Sequence, residues 1–139
     1  MSDKAARGQH PTAALLSLLC LTLAGPAAAA ANLDGAWASN RESCKQLFVQ
    51  KGKQTHLAPK SDLYGSGFVI DGKALRGKIA TCTIKSRQES GKTVRFDATC
   101  ATEISLSSNQ FELTMVDDNK VMRSFPGIPE LDTPYYRCP

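Results

Sequence analysis

ATCTIKSRQESGKTVRFDATC, residues 80–100, decides the fold. Cys82 and Cys100 lie nine residues to either side of Gly91, and a turn over Gln88-Glu89-Ser90-Gly91 closes the stretch into a hairpin. Pairing Cys82 with Cys100 sets Ile84 opposite Ala98 and Ser86 opposite Phe96. One face then carries Ala80, Cys82, Ile84, Val94, Phe96, Ala98 and Cys100. The other carries Thr81, Thr83, Lys85, Thr93, Arg95, Asp97 and Thr99. A half-buried antiparallel pair requires this alternation on both strands in one register, because a one-residue slip exchanges the two faces. Directly opposed cysteines in a non-hydrogen-bonded pair come within the roughly 4.4–6.8 Å Cα separation of a disulfide.

The same short β-type runs extend outward from this hairpin. Asp71-Gly72 separates Gly67-Phe68-Val69-Ile70 from Lys73-Ala74-Leu75-Arg76. Asp-Gly between such runs is a two-residue hairpin signal, which would set Ile70 opposite Lys73 and Phe68 opposite Leu75. Asp117-Asp118-Asn119 makes a third turn, between residues 111–116 and 120–125. Further strands are expected at 35–39, 44–51 and 134–138, and no segment shows convincing helical periodicity. About eight strands at this spacing predict an all-β fold, a small antiparallel β-barrel of mostly meander topology. Residues 73–87, read as one strand, change parity: Leu75 and Ile79 share one phase, and Ala80, Cys82 and Ile84 the other. A bulge or bend near Gly77-Lys78 would reconcile them in a strongly curved sheet.

Two further cysteines, Cys44 and Cys138, pair by elimination and fasten the C-terminal strand to the second strand. Four cysteines in a short exported domain read as two disulfides. The scattered single cysteines lack the close C-x-x-C spacing of a structural metal site. The fifth, Cys20, falls in an N-terminal segment with the order of an export signal: Lys4 and Arg7, then the apolar core 13–24, then Gly25-Pro26 and an alanine run to Ala31. Leu19 before Cys20 is too large for a lipid-attachment site, and the apolar core is too short to span a bilayer. Residues 1–31 are therefore expected to be removed. One domain, 32–139, would remain, periplasmic or secreted, without a membrane span and monomeric.

Cleavage there would leave 108 of the 139 residues. Loss of Lys4, Arg7 and Asp3 takes 17 basic and 13 acidic residues to 15 and 12, a net charge of +3. Such a mild excess implies no nucleic-acid partner. Six aromatic residues besides Trp37 and the late tyrosines are expected to fill the interior of so small a barrel.

Leu33-Asp34-Gly35-Ala36-Trp37 resembles the opening of lipocalin-like proteins. The resemblance implies that Trp37 packs across one end of the barrel beneath a late arginine, Arg123 or Arg137. With its early cysteine, the chain is also similar to compact eight-stranded relatives, including small bacterial secreted protease inhibitors. Its SDLYGSGF, ATCTIKSR and YYRCP stretches further resemble small exported bacterial proteins with no assigned activity.

Catalytic constellations are missing from the sequence. His56 stands alone in an expected loop, without H-E-x-x-H or paired C-x-x-C. Gly65-Ser66-Gly67 matches neither G-x-S-x-G nor G-x-G-x-x-G. No enzyme, metal or cofactor is expected. Two features could serve binding. Leu63 and Tyr64 sit in a glycine-rich loop, where recognition residues concentrate. Arg76, Lys78, Lys85, Arg87, Lys92 and Arg95 could form a basic patch around the central hairpins. The expected function is an exported, non-enzymatic binding module, such as an inhibitor of an extracytoplasmic protease. The alternatives are a carrier of small apolar ligands, or a structural envelope protein. A cavity in the barrel would favour the carrier; a closed interior with an exposed loop at Tyr64 would favour the module.

Overall fold

The structure is a computed structural model and describes residues 30–139; nearly all of the expected export signal, with Cys20, lies outside the described residues. Eight strands close an antiparallel barrel: β1 (Gly35–Ala38), β4 (Gly67–Asp71), β5 (Ala74–Arg76), β6 (Thr81–Ser90), β7 (Thr93–Ala101), β8 (Leu106–Asp117), β9 (Lys120–Ser124) and β10 (Thr133–Arg137). From β4 to β10 each strand pairs with the next, and β1 closes the ring between β10 and β4. Closure removes every free sheet edge from the barrel. Between β1 and β4 the chain leaves the wall to form the one-turn helix α1 (Cys44–Leu47) and a separate hairpin of β2 (Phe48–Lys51) and β3 (Gln54–Leu57).

Both expected disulfides are present, Cys82–Cys100 with Cα atoms 3.9 Å apart and Cys44–Cys138 at 5.6 Å. The first is tighter than the separation expected from the sequence. In the central hairpin, Cys82 faces Cys100 and Ile84 faces Ala98 as expected, but Ser86 faces Asp97 and Arg87 faces Phe96. The turn centres on Gly91-Lys92, with Ser90 opposite Thr93, and a bulge at Lys85 absorbs the one-residue difference. Beyond the bulge β6 changes parity, so Arg87 and Glu89 take the inward phase that Cys82 and Ile84 hold before it.

Four other expectations are corrected. The β4–β5 turn is Gly72-Lys73, setting Ile70 opposite Leu75 and Val69 opposite Arg76. Of its two central residues only Gly72 takes positive φ, at 56°. Residues 73–87 are two strands joined by a tight turn in which the Gly77 N–H donates to the Ala80 carbonyl at 2.8 Å. The parity change is a change of strand, and Leu75 faces Cys82 across it. Finally, 44–51 is not a single strand. The Asn40 side chain accepts from the Glu42 N–H and caps a 3₁₀ turn, Arg41–Ser43, that runs into α1 before β2 begins. His56 lies in β3 opposite Val49, not in a loop.

The outer hairpin packs on a wall of small residues. Ala36 and Ala38 are buried on the outward phase of β1. A Cβ at Gly67 would come within 2.8 Å of the Phe48 ring, so only glycine admits Phe48 here. Inside the barrel, Trp37, Phe68, Ile70, Leu75, Ile84, Val94, Phe96, Leu113, Val121 and Tyr135 form one continuous core with the Cys82–Cys100 bridge.

Candidate functional site

The turns alternate between two ends of the barrel, and the two ends differ. At one end lie the start of β1 and the β4–β5, β6–β7 and β8–β9 turns. Residues 31–34 cross this end and are fastened there. Trp37, fully buried, donates from its indole N–H to the Leu33 carbonyl at 2.9 Å. The Arg137 guanidinium lies 4.3 Å from the centre of the Trp37 ring. It also donates to the carbonyls of Asn32 (2.8 Å), Asp34 (2.5 Å) and Asp118 (3.0 Å). Of the two arginines left open by the sequence, Arg137 is therefore the one on Trp37. Arg87 donates to the Ala31 carbonyl and pairs with Glu89 at 2.6 Å, while Asp34 accepts from the Gly72 N–H at 3.0 Å.

At the opposite end, formed by the β5–β6 and β7–β8 turns, the β9–β10 connection and the 3₁₀ turn Ser61–Tyr64, the interior is open. A cavity of about 520 Å³ enters the barrel here, against the expectation of a filled interior. Its deep wall consists of Phe68, Leu75, the Cys82–Cys100 bridge, Leu113 and Tyr135, with Phe111 above them. Phe68 and Tyr135 meet edge-on with ring centres 4.9 Å apart, and the Tyr135 hydroxyl is 2.9 Å from Ser66 Oγ. Polar groups line the outer part: Ser66, Ser107, Asn109 and Arg123.

Strand β8 shows the gradient residue by residue. Its inward positions run Ser107, Asn109, Phe111, Leu113, exposed at the mouth and buried at depth, opposite Cys100, Ala98, Phe96 and Val94 of β7. Arg123 faces Leu113 across β8–β9 and so points the same way. Its guanidinium lies 4.6 Å from the Phe125 ring centre and 5.4 Å from that of Phe111. Ser61, on the same lining, is buried, and its hydroxyl has no hydrogen-bond partner among the described residues.

The rim is apolar. Leu63, Tyr64, Ile79, Ile104, Leu106, Ile128 and Leu131 are all exposed and all belong to this end. Leu63 and Tyr64 thus stand at the cavity's edge, 71% and 49% exposed. Beside them Lys78 bridges to Asp62 at 3.2 Å, and its hydrogen bond holds the Asp62 carboxyl below the usual carboxylate range.

The expected basic patch does not assemble. Lys78 is at the open rim, Lys92 is in the turn at the closed end, and Lys85 is on the outer face at the bulge. Arg76 pairs with Asp71 at 3.5 Å, Arg87 with Glu89 and Arg95 with Glu112 at 2.5 Å. The sequence reading missed Ser107, Asn109 and the inward role of Arg123. The available signal was the polar half of β8 in phase with Phe111 and Leu113, which marks a wet barrel end. Among the described residues no group of three or more His, Cys, Asp or Glu side chains is placed to hold a metal ion, and no helix is long and apolar enough to cross a membrane. Comparison with family models, curated proteins and solved structures returned no match to this chain.

Proposed function

We propose that this protein is a non-enzymatic carrier that takes a small, largely apolar ligand into the open end of its barrel. The cavity carries this reading. Its size falls within the roughly 300–1,000 Å³ typical of small-molecule sites, barrel mouths are a recurrent place for them, and an apolar floor with a few convergent polar groups is their usual composition. The unpaired Ser61 hydroxyl adds a buried polar group at that lining, the kind of group whose desolvation is costly unless a partner meets it. Two disulfides suit folding in an oxidising compartment, and export to the periplasm or beyond is part of the proposal.

Titration with the fluorescent apolar probe phenylnaphthylamine tests it. One saturable site of about micromolar affinity is expected, lost in Ala80→Trp, whose indole would fill the mouth while the core stays unchanged. No binding to the wild type, or equal binding to the filled variant, would overturn the carrier.

The exposed rim favours a second reading, the binding module. Leu63 and Tyr64 beside Ile79 present a protruding apolar edge of the kind that docks on another exported protein, a protease among the candidates. Inhibition of a protease such as subtilisin by the wild type, abolished in Leu63→Ser with Tyr64→Ser, would support it. Failure of both experiments would leave a structural role in the envelope.

A further inference from the structure

We infer that the ligand is an amphiphile with a single carboxylate head, held by Arg123 at the mouth while its apolar part enters the barrel; this rests on the carrier reading above. Arg123 shares the inward face with Leu113 and Val121, and is half-buried at the cavity wall. The Phe111 and Phe125 rings beside it restrict the guanidinium and take up part of its charge through their π faces. No carboxylate among the described residues lies within 4.0 Å of it. Three acids of this part of the molecule have other partners. Asp132 accepts from the Phe125 N–H at 2.9 Å, Asp62 pairs with Lys78, and Glu112 pairs with Arg95 on the outer face.

This contrasts with the other arginines in inward phase. Arg87 has Glu89, and Arg137 has three backbone carbonyls. A planar guanidinium fork matches a carboxylate in two parallel hydrogen bonds, more strongly than a neutral hydroxyl. The lining's other charged groups, Lys78 and Asp62, neutralise each other, so one guanidinium balances one negative charge and would leave a second uncompensated. Below Arg123 the lining turns to Phe111, Leu113 and Leu75, which would take an alkyl or aromatic body.

Calorimetric titration with decanoate and with decanol separates head from tail. Decanoate is expected to bind the wild type about tenfold or more tightly than decanol. Arg123→Gln should abolish that difference by weakening decanoate alone, and Arg123→Lys should restore part of it. An unchanged near-ultraviolet signal from Trp37, at the other end of the barrel, would show that the variants are folded. Equal affinities for the two compounds in the wild type, or a decanoate preference that survives Arg123→Gln, would overturn the carboxylate inference and leave the carrier standing. Binding of neither compound, together with no binding of phenylnaphthylamine, would overturn both.

Discussion

At one end of the barrel Trp37 is wholly buried beneath Arg137 and Leu33, and hydrogen bonds from Trp37, Gly72, Arg87 and Arg137 tie residues 31–34 to the wall. At the other, aliphatic side chains stand in solvent around a cavity, and Arg123 has aromatic neighbours but no acid. The same strands supply both ends. The difference lies in which inward positions are large and which connections turn back over the interior. The closed end buries its largest side chain under polar ties, and the open end leaves its apolar rim in solvent.

Substitutions at the two ends should therefore separate. Trp37→Ala is expected to be the most damaging, costing about 3–5 kcal/mol in denaturant unfolding, because it empties the largest buried site and removes the ring on which the Arg137 guanidinium packs. Replacing Cys82 and Cys100 together by Ser should cost about 2–5 kcal/mol, since the bridge both restrains the unfolded chain and floors the cavity. At the rim, Ile104→Ser and Leu106→Ser should change stability by less than about 0.5 kcal/mol, as exposed side chains with no special role usually do. A large loss at Ile104 with little at Trp37 would invert the comparison.

The smallest effect concerns Asp97, on the barrel's outer wall, distant in role from both ends. Hydrogen bonds from Ser86 (2.5 Å) and Gln110 (3.0 Å) hold its carboxyl below the usual carboxylate range. A depressed folded-state value means the stabilisation is present above the ordinary carboxylate pKa and is lost as pH falls through the lower, folded one. Ser86→Ala should raise the Asp97 pKa in a carboxylate NMR titration and flatten the acid limb of stability; an unchanged value would remove this hydrogen bond as its cause.

Much of the fold was legible in residues 80–100, because alternating burial on two strands admits a single register at the cysteines. The bulge was not, since Lys85 and Ser86 are both polar and either phase satisfies them. The turn at Gly77–Ala80 was mistaken for a bend because Ile79, an apolar residue at a turn tip, extends the pattern of a strand while standing 81% exposed. The 3₁₀ turn Arg41–Ser43 that leads into the helix had a readable signal in Asn40 and Glu42, which the β-rich surroundings obscured. The Trp37 end could be anticipated from a short motif. The wet end had a signal in the polar half of β8, but the size of the cavity did not, because it depends on how far the loops of four separate connections fall short of closing over the barrel.

Amide and indole NMR shifts during titration with decanoate distinguish a ligand that enters at the Arg123 end from one that reaches the Trp37 end. Shifts that saturate together at Leu75, Cys100, Asn109, Leu113 and Arg123 are expected, with the Trp37 indole N–H unmoved. Saturable shifts centred on Trp37 and residues 31–34, with the Arg123 end silent, would contradict entry there.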